Sequence, residues 1–487
     1  MTRTLLVAGT ASHVGKSTIV AGICRIMSNA GIAVAPFKAQ NMSNNAQVVL
    51  APDGTWGEIG VSQYAQCQAA RMTPTTDVNP VLLKPRGETP SQLIIDGKAH
   101  GHFAAGEYYE DNWEEARQAA IDAYERLTDT ADVIIAEGAG SIAEINLHDR
   151  DLANIETAEF TDADIVLVVD IERGGAFASA YGTIELLPQQ IRSRVVGVVI
   201  NKFRGDVSLL DPGIESFERR TGVPILGVLP YADPGLPAED NVSLQDAVNT
   251  EPASDAAVRI AVPNLPRLAN WTDLETLERT NGVDVSCVPL AVDLDPYDAV
   301  IIPGTKNTVD DALALKRAGF ATTLRNFDGP IIGICGGYQL LGEELTNAAI
   351  EGTGRQDEVS GAGLLPVQTQ FVSDKRVERV TVDVSGSGPI AGATGSASGY
   401  VIHMGRTTVP SGVDRPLEAT SCSIDSVLGT YLHGLFDNEN IRNAFLECVW
   451  DGRCGDRPAF QLQQETPYKS AASLVAETID MNALGLF

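Results

Sequence analysis

The feature that most constrains this chain is an N-terminal apolar run followed by a glycine-containing loop and a helix. Residues Leu5–Thr18 read LLVAGTASHVGKST. In such a loop, backbone N–H groups and the helix N-terminus bind phosphate, while Lys16 neutralises its terminal part. The strict GxxxxGK[ST] pattern is not met, because Gly9 lies one residue too early. We predict a nucleoside triphosphate site, against the alternative of a plain helix start, at Thr10, Gly15, Lys16, Ser17 and Thr18.

A phosphate site of this kind also needs a carboxylate near its metal ion, usually at the end of a neighbouring strand. Two acidic residues follow apolar runs: Glu137 in VIIAEGAGS and Asp170 in IVLVVDIERGG. We favour Glu137, together with Ser17, as the Mg²⁺ ligand, because Gly138 and Gly140 leave room for a ligand. Asp170 stays open as an alternative, and either carboxylate can simply end its strand.

The first half of the chain alternates short, continuous Val/Ile/Leu runs with helical stretches. Continuous runs are typical of strands buried on both faces of a parallel sheet, so the fold class is α/β. Between residues 233 and 256 Pro, Asp, Ser and Ala dominate, and a second α/β series follows. We predict a phosphate-binding domain over residues 1–232, a linker over 233–256, a second domain over 257–445 and a C-terminal tail over 446–487.

A cysteine in the second domain lies on a tight turn, within PIIGICGGYQLL. The strand–turn–helix pattern is that of a nucleophile elbow, and it places the thiol of Cys335 at a helix N-terminus that favours thiolate. Of the histidines, His433 in GTYLHGLFD follows an apolar run and is the favoured base, with His403 in GYVIHMGR as the weaker alternative. Backbone N–H groups at Gly304 and Gly336 are the expected oxyanion donors.

Charge and cysteine content limit the classes of partner and the cellular compartment that the chain can have. The 487 residues carry 35 Lys+Arg against 64 Asp+Glu, a net charge of −29, which argues against binding to nucleic acid. The acidic residues are dispersed, which favours a salt-adapted host over a cationic partner. Seven scattered cysteines without a CxxC pattern, and no apolar run of about 18 residues, predict a reducing cytoplasm and no membrane span.

GICGGYQLLG, followed later by GTYLHGLFD, resembles a class I glutamine amidotransferase domain. The resemblance implies that Cys335 attacks the side-chain amide of glutamine and that ammonia is released. Members commonly carry a glutamate two residues after the histidine, where this chain has Leu435. Its absence is characteristic of a branch in which this domain follows an ATP-dependent ligase similar to dethiobiotin synthetase, and it leaves open what orients His433.

The N-terminal half resembles cobyric acid synthases in five blocks: Phe37–Ala46, Glu58–Ala70, Asn79–Pro85, Glu137–Asn154 and Asp170–Thr183. The resemblance implies an ATP-, Mg²⁺- and glutamine-dependent enzyme. It would amidate the b, d, e and g carboxylates of adenosylcobyrinic acid a,c-diamide to give adenosylcobyric acid in cobalamin biosynthesis. The residues expected to line the corrinoid pocket are Lys38, Gln40, Asn41, Asn44, Asn146 and Asp151.

Two other functions stay open from the sequence. A cobyrinic acid a,c-diamide synthase has the same two activities but amidates other carboxylates. A P-loop ATPase with a regulatory domain would keep the GKST loop without needing Cys335 or His433. Assembly into a homo-oligomer is also open. Because both ATP and a polycarboxylate substrate are anionic, the acidic composition no longer favours a cationic partner.

Overall fold

The computed structural model describes residues 2–85, 90–239, 256–352, 354, 356–451, 458–463 and 466–486. Its contacts divide the chain into two compact units. Unit 1 comprises Met1–Ser43, Val49–Pro237 and Glu465–Phe487, and unit 2 comprises Asn44–Val48 and Ala238–Gln464. The chain therefore passes from one unit to the other after residues 43, 48, 237 and 464. Most of the predicted linker, residues 240–255, lies outside the described residues.

Twelve strands and eight α-helices are described before residue 238. The strands are β1 (Arg3–Gly9), β2 (Val34–Phe37), β3 (Gln40–Met42), β4 (Ala46–Leu50), β5 (Trp56–Gly60), β6 (Val81–Pro85), β7 (Pro90–Ile95), β8 (Lys98–Ala104), β9 (Val133–Glu137), β10 (Asp164–Asp170), β11 (Val195–Phe203) and β12 (Ile225–Pro230). The helices are α1 (Lys16–Asn29), α2 (Val61–Ala70), α3 (Ala105–Glu107), α4 (Trp113–Thr128), α5 (Thr157–Phe160), α6 (Ala176–Leu186), α7 (Gln189–Arg192) and α8 (Asp211–Thr221).

A six-stranded parallel sheet forms the centre of unit 1, in the order β12-β11-β10-β1-β9-β2. Successive side chains of β1 enter two different cores: Leu6 packs with α4, whereas Leu5 and Val7 pack with α1. Strands covered on both faces need apolar residues at every position, which explains the continuous apolar runs. The predicted α/β class with a parallel sheet is confirmed.

The described residues of unit 2 form ten further strands and five α-helices. The strands are β13 (Val258–Pro263), β14 (Val283–Val288), β15 (Ala299–Ile302), β16 (Ile331–Ile334), β17 (Glu344–Thr346), β18 (Glu358–Ser360), β19 (Gln368–Ser385), β20 (Thr394–Thr408), β21 (Cys422–Ile424) and β22 (Val427–Thr430). The helices are α9 (Glu275–Glu278), α10 (Thr308–Ala318), α11 (Phe320–Arg325), α12 (Gly336–Leu341) and α13 (Glu439–Trp450).

The main sheet of unit 2 has the order β14-β13-β15-β16-β22-β21, and all its neighbours are parallel except β21 and β22. Strands β16 and β22 are adjacent and in register, with Ile334 opposite Thr430. The carboxyl ends of parallel strands meet at one edge of a sheet. The residues that follow these two strands, Cys335 and His433, are therefore brought together although about a hundred positions separate them.

The last described helix, α14 (Pro467–Thr478), belongs to unit 1. It packs against α1, where Val475 joins the apolar core beneath the central sheet. Beyond the helix, Asp480 N–H donates to Leu226 O over 2.8 Å. The structure differs here from the predicted tail over 446–487: α13 continues past residue 445 within unit 2, whereas α14 completes the core of unit 1. Among the described residues, no helix combines the length and apolar character that a bilayer crossing requires.

Candidate active sites

The loop between β1 and α1 lies at the carboxyl end of the central sheet of unit 1. Gly15 caps α1 with a φ of +100°, a left-handed conformation that favours glycine. The close surroundings also require glycine, because a Cβ atom there would lie 2.1 Å from Asn201 Nδ2. That amide donates to Val14 O over 2.8 Å. At the other end of the loop, Thr10 N–H donates to Val168 O over 3.0 Å. Both ends of the loop are thus fixed to the sheet.

The side chains of Lys16 and Ser17, at the start of α1, lie beside this loop. The ammonium of Lys16 donates to Ala11 O and to Gly140 O, each over 3.1 Å, so it lies between the loop and the segment after β9. Ser17 Oγ donates to Glu137 Oε1 over 3.1 Å. Thr18, the next residue on α1, is half-buried. An ammonium and a hydroxyl therefore lie beside the loop for which a triphosphate site is predicted.

Glu137 is the centre of a buried polar cluster at the end of β9. Its carboxylate, only 1% exposed, accepts from Ser17 and forms an ion pair of 2.9 Å with Lys38. The amide of Gln66 on α2 donates to the other carboxylate oxygen. A hydroxyl beside a carboxylate supplies the hard oxygen ligands that Mg²⁺ prefers, with phosphate oxygens and water completing the shell. The residues present therefore fit a magnesium site. Gln66 was missed as a site residue, although it lies in a block that carries the family resemblance.

Asp170, the alternative metal ligand, has other partners. Its carboxylate pairs with Lys202 over 2.9 Å and accepts from Glu172 N–H over 2.7 Å. The carboxylate that contacts Ser17 is Glu137. The geometry therefore favours Glu137 over Asp170 for the metal role.

Three of the predicted substrate residues lie around the strands next to this site. Besides Lys38, Gln40 accepts from the hydroxyl of Tyr108, and the buried Asn41 amide donates to Gln63 Oε1 over 2.8 Å. Both Gln40 and Asn41 lie on β3, directly after the strand that ends beside Glu137. These amides are therefore held by other side chains of unit 1.

The other three predicted substrate residues differ in their placement. Asp151 accepts from Asn154 N–H over 3.0 Å, and Asn154 in turn donates to Ala139 O over 2.8 Å, so Asp151 is tied to the loop after Glu137. Burial raises the pKa of Asp151 to about 6. Asn146 is exposed on that same loop, and Asn44 belongs to unit 2.

In unit 2, Cys335 occupies a sharp turn between β16 and α12. Its φ of +53° and ψ of −109° are unfavourable for a residue with a Cβ atom, as expected of a nucleophile elbow. The turn is possible because glycines follow: a Cβ atom at Gly337 would lie 1.9 Å from Ile302 O. Cys335 Sγ donates to Ile402 O over 3.4 Å. The elbow thus presents a nearly buried thiol at the start of a helix.

The imidazole of His433 is held by a carboxylate that the sequence did not reveal. His433 Nδ1 lies 2.7 Å from Asp273 Oδ2, and Gly434 N–H donates to Asp273 Oδ1 over 2.8 Å. Both side chains of the pair are 1% exposed. Tyr400 stacks on the imidazole, with ring centroids 4.9 Å apart. A carboxylate on Nδ1 fixes the tautomer that leaves Nε2 free for proton transfer.

The charges of this cluster favour the imidazolium form of His433. Burial lowers the pKa of His433, but Asp273 and Cys335 outweigh it and raise that pKa to about 10. An imidazolium beside a cysteine stabilises the thiolate, which is the nucleophilic form. The cluster can therefore perform nucleophilic attack on a carbonyl carbon and then supply a proton to the leaving group.

The alternative base, His403, is a much weaker base and has different surroundings. Burial lowers its pKa to about 3, its Nδ1 lies 2.7 Å from Gly405 O, and its ring stacks on Tyr431. A neutral imidazole whose Nδ1–H is bound to a carbonyl has little tendency to take up a proton. The geometry favours His433 over His403.

The expected oxyanion donors lie beside this cluster. A Cβ atom added at Gly304 would be 3.4 Å from His433 Cε1, and one added at Gly336 would be 2.9 Å from Thr305 N. The loop after β15 and the start of α12 therefore approach one another closely next to Cys335. Leu435, at the position where related domains carry a glutamate, is buried in the apolar core.

Comparison with known proteins identifies the two domains in which these clusters lie. Residues 5–241 match the family model described as the CobQ/CobB/MinD/ParA nucleotide binding domain, and residues 259–441 match the CobB/CobQ-like glutamine amidotransferase domain. A probable cobyric acid synthase of Halobacterium salinarum is 57% identical, with 99% of this chain and 98% of the relative covered. Those of Methanosarcina barkeri and Methanococcoides burtonii are 46% and 47% identical, covering 98% and 99% of this chain and 98% and 96% of their own lengths. With nearly its whole length matched and both domains present in this order, the chain belongs to the cobyric acid synthase family of glutamine-dependent ligases.

Proposed function

We propose that this enzyme amidates the b, d, e and g carboxylates of adenosylcobyrinic acid a,c-diamide in cobalamin biosynthesis, with glutamine as nitrogen donor and ATP as energy source. The observation that carries the proposal is that one chain contains both a Cys335–His433–Asp273 cluster and a phosphate-binding loop whose Ser17 contacts Glu137. The four carboxylates themselves follow from the similarity to cobyric acid synthases.

In the glutaminase half, the thiolate of Cys335 attacks the carboxamide carbon of glutamine. Backbone N–H groups near Gly304 and Gly336 stabilise the oxyanion that forms. The imidazolium of His433, held by Asp273, gives its proton to the departing ammonia. His433 then takes a proton from the water that hydrolyses the glutamyl thioester, which releases glutamate and restores the thiolate.

In the ligase half, ATP converts a substrate carboxylate to an acyl phosphate, and ammonia displaces the phosphate. The loop from Thr10 to Gly15, with Lys16 and Thr18, binds and orients the triphosphate. Ser17 and Glu137 would hold Mg²⁺. When bound, the ion supplies positive charge against the phosphate oxygens. Lys38, ion-paired to Glu137, adds a second cation on the same side.

The corrinoid is bound by residues around the end of β9 and along β3. Amide groups at Gln40 and Asn41 offer hydrogen bonds to carboxylates and acetamides, and Asn146 and Asp151 are further candidates in unit 1. Asn44 is a candidate from the sequence alone. The free thiols of all six described cysteines fit a reducing cytoplasm as the working compartment.

The test is an assay with the a,c-diamide, MgATP and glutamine, followed by mass spectrometry of the corrinoid. Four successive amidations are expected. Absence of any added amide contradicts the proposal, and amidation of the a and c positions of cobyrinic acid instead favours a cobyrinic acid a,c-diamide synthase.

Two variants separate the two active sites. Cys335→Ala should abolish the use of glutamine but retain activity with free ammonia, because only the glutaminase nucleophile is removed. Lys16→Ala should impair amidation with either nitrogen source, because the ATP site serves both. Ammonia-dependent turnover that survives Lys16→Ala would show that the triphosphate assignment is wrong.

A further inference from the structure

Five residues from the N-terminal half of the chain are part of unit 2. Asn44–Val48 follow shortly after strand β3, which carries Gln40 and Asn41, yet their contacts assign them to unit 2. The Asn45 side chain is 1% exposed, so its polar atoms need partners inside the protein. Its amide donates to the carbonyls of Ala238 and Glu239 over 3.4 and 3.3 Å. This segment is thus built into unit 2 by buried polar contacts.

The same segment holds Asn270 by two reciprocal hydrogen bonds. Asn270 N–H donates to Asn45 Oδ1 over 2.8 Å, and Ala46 N–H donates to Asn270 Oδ1 over 3.2 Å. Asn270 has a φ of +57°, a left-handed conformation that costs free energy for any residue other than glycine. The two bonds therefore fix Asn270 in a backbone conformation that it would populate less without them.

Asn270 is the residue that starts the short 3₁₀ turn Trp271–Asp273. Asp273 N–H donates to Asn270 O over 3.1 Å, so the conformation of Asn270 sets the direction of the Asp273 carboxylate. The side chain of Asn270 also lies against His433, with Asn270 Nδ2 3.5 Å from His433 Nδ1. Displacement of Asn270 would consequently move the group that orients the catalytic imidazole.

A second contact leads from the segment to the other face of the imidazole. The hydroxyl of Tyr400 donates to Ala46 O over 3.3 Å, and the ring of Tyr400 stacks on His433 at an interplanar angle of 12°. The backbones of Tyr400 and His433 are also bonded to each other, since His433 N–H donates to Tyr400 O over 2.9 Å. The segment thus contacts both supports of His433, the Asp273 turn and the stacked ring.

We propose that Asn45 is a positioning residue of the glutaminase: through Asn270 it holds the Asp273 turn, and so His433, in the geometry that keeps Cys335 reactive. The inference rests on the proposed function only in taking the Cys335 site as a glutaminase. Asn45 comes shortly after the proposed corrinoid-binding residues Gln40 and Asn41 in the chain. The proposal therefore gives a residue next to these positions control over glutamine hydrolysis.

The test compares Asn45→Ala with Gln47→Ala in the full-length chain. Gln47 lies in the same segment, is half-buried and has no side-chain hydrogen bond among the described residues, so it controls for general disturbance of the segment. Two readouts need no corrinoid: release of glutamate from glutamine alone, and the pH dependence of Cys335 alkylation by iodoacetamide. Thermal unfolding confirms that both variants are folded.

We expect Asn45→Ala to lower kcat for glutamate release by about tenfold or more, with a smaller change in KM, and to slow Cys335 alkylation near neutral pH. Gln47→Ala should behave as wild type in both. The proposal is overturned if Asn45→Ala keeps wild-type kcat and alkylation, or if Gln47→Ala loses as much as Asn45→Ala. Failure to amidate a corrinoid would count against the proposed function alone, since neither readout depends on it.

Discussion

Asp273 Oδ2 lies 2.7 Å from His433 Nδ1, although 160 positions separate the two residues in the chain. Related amidotransferase domains place a glutamate two residues after the histidine, and here that position is a buried leucine. The carboxylate that contacts the His433 imidazole is instead carried by a 3₁₀ turn after β13. A carboxylate from a different part of the chain therefore lies where it could orient this histidine.

Replacing Asp273 by asparagine should lower glutamate release by about 10²–10⁴-fold, as loss of the orienting carboxylate does in other histidine-assisted nucleophiles. The imidazolium of His433 loses its main stabilising charge, so alkylation of Cys335 near neutral pH should also slow. Ammonia-dependent amidation should be unchanged. Glutamate release by steady-state assay checks this.

The matched control is Asp437→Asn. Asp437 is a surface carboxylate in the same unit that accepts from Thr276 Oγ1 rather than from His433. Its loss should affect glutamate release far less. Equal losses in the two variants would mean that negative charge anywhere near His433, and not the specific contact with Asp273, supports the reaction.

Glu137→Gln should reduce amidation by about 10²-fold or more with glutamine and with ammonia alike, because the charge opposite Lys38 and the hydroxyl of Ser17 is removed. Basal glutamate release should persist. The Mg²⁺ concentration that gives half-maximal activity should rise in the variant, which a titration with Mg²⁺ would measure. Asp170→Asn serves as the comparison, and a stronger effect there than at Glu137 would reverse the assignment of the metal ligand.

Gly22→Ala should destabilise unit 1 even though alanine favours helices. An added Cβ would lie 2.5 Å from Val475 Cγ2 and 2.8 Å from Ala471 O, against helix α14. Overpacking of this kind costs about 1–3 kcal/mol. Gly182 is also a helix glycine of unit 1, but nothing lies within 4 Å of the position of its Cβ, so Gly182→Ala should be neutral or stabilising. Thermal unfolding of the two variants tests the contrast, which fails if Gly22→Ala melts at or above the wild-type temperature.

Asp311 should make stability depend on pH. It is fully buried, and burial raises its pKa to about 7 although it accepts from Arg267 N–H and Thr305 Oγ1. A carboxyl group whose pKa is higher in the folded than in the unfolded chain contributes stability below the unfolded value of about 4. That contribution is lost as pH rises toward 7.

Asp311→Asn removes this ionisation. The free energy of unfolding of the variant, relative to wild type, should increase by on the order of 2 kcal/mol between pH 5 and pH 8. Denaturant unfolding at the two pH values provides the measurement. A difference between the two proteins that is the same at both would show that Asp311 does not titrate in this range.

The net charge of −29 predicts dependence on salt. Like charges on the surface repel one another in dilute buffer, and salt screens this repulsion within a Debye length. The melting temperature should therefore rise between about 0.1 M and 1 M KCl, over which the Debye length falls from about 10 to 3 Å. A melting temperature that is already maximal at low salt would argue against a salt-adapted surface.

The parts predicted well from sequence are those encoded by contiguous residues. The loop around Lys16, the elbow at Cys335 and the apolar strands each combine local conformational preferences with a short pattern, so their elements could be named from the sequence. The adjacency of Cys335 and His433 follows from the edge of a parallel sheet, once β16 and β22 are neighbours.

The parts that escaped prediction depend on contacts between distant residues. Nothing in the sequence around Asp273 marks it as the partner of His433. Gln66 contacts Glu137 through its side-chain amide, and nothing in the sequence distinguishes it from other glutamines on helices. Likewise the sequence predicted only a C-terminal tail where helix α14 packs on α1. Such assignments require the tertiary structure, because these residues are recognised by the distances between their atoms and not by their spacing in the sequence.

The exchange of segments between the two units has a consequence for dividing this protein. A fragment that begins after the linker would lack Asn44–Val48, and one that ends before it would leave the face of α1 that α14 covers exposed to solvent. No single cut in the chain yields two complete folding units. Separate expression of the halves would therefore give incomplete proteins, and fission of such a gene into two would require both segments to be moved as well.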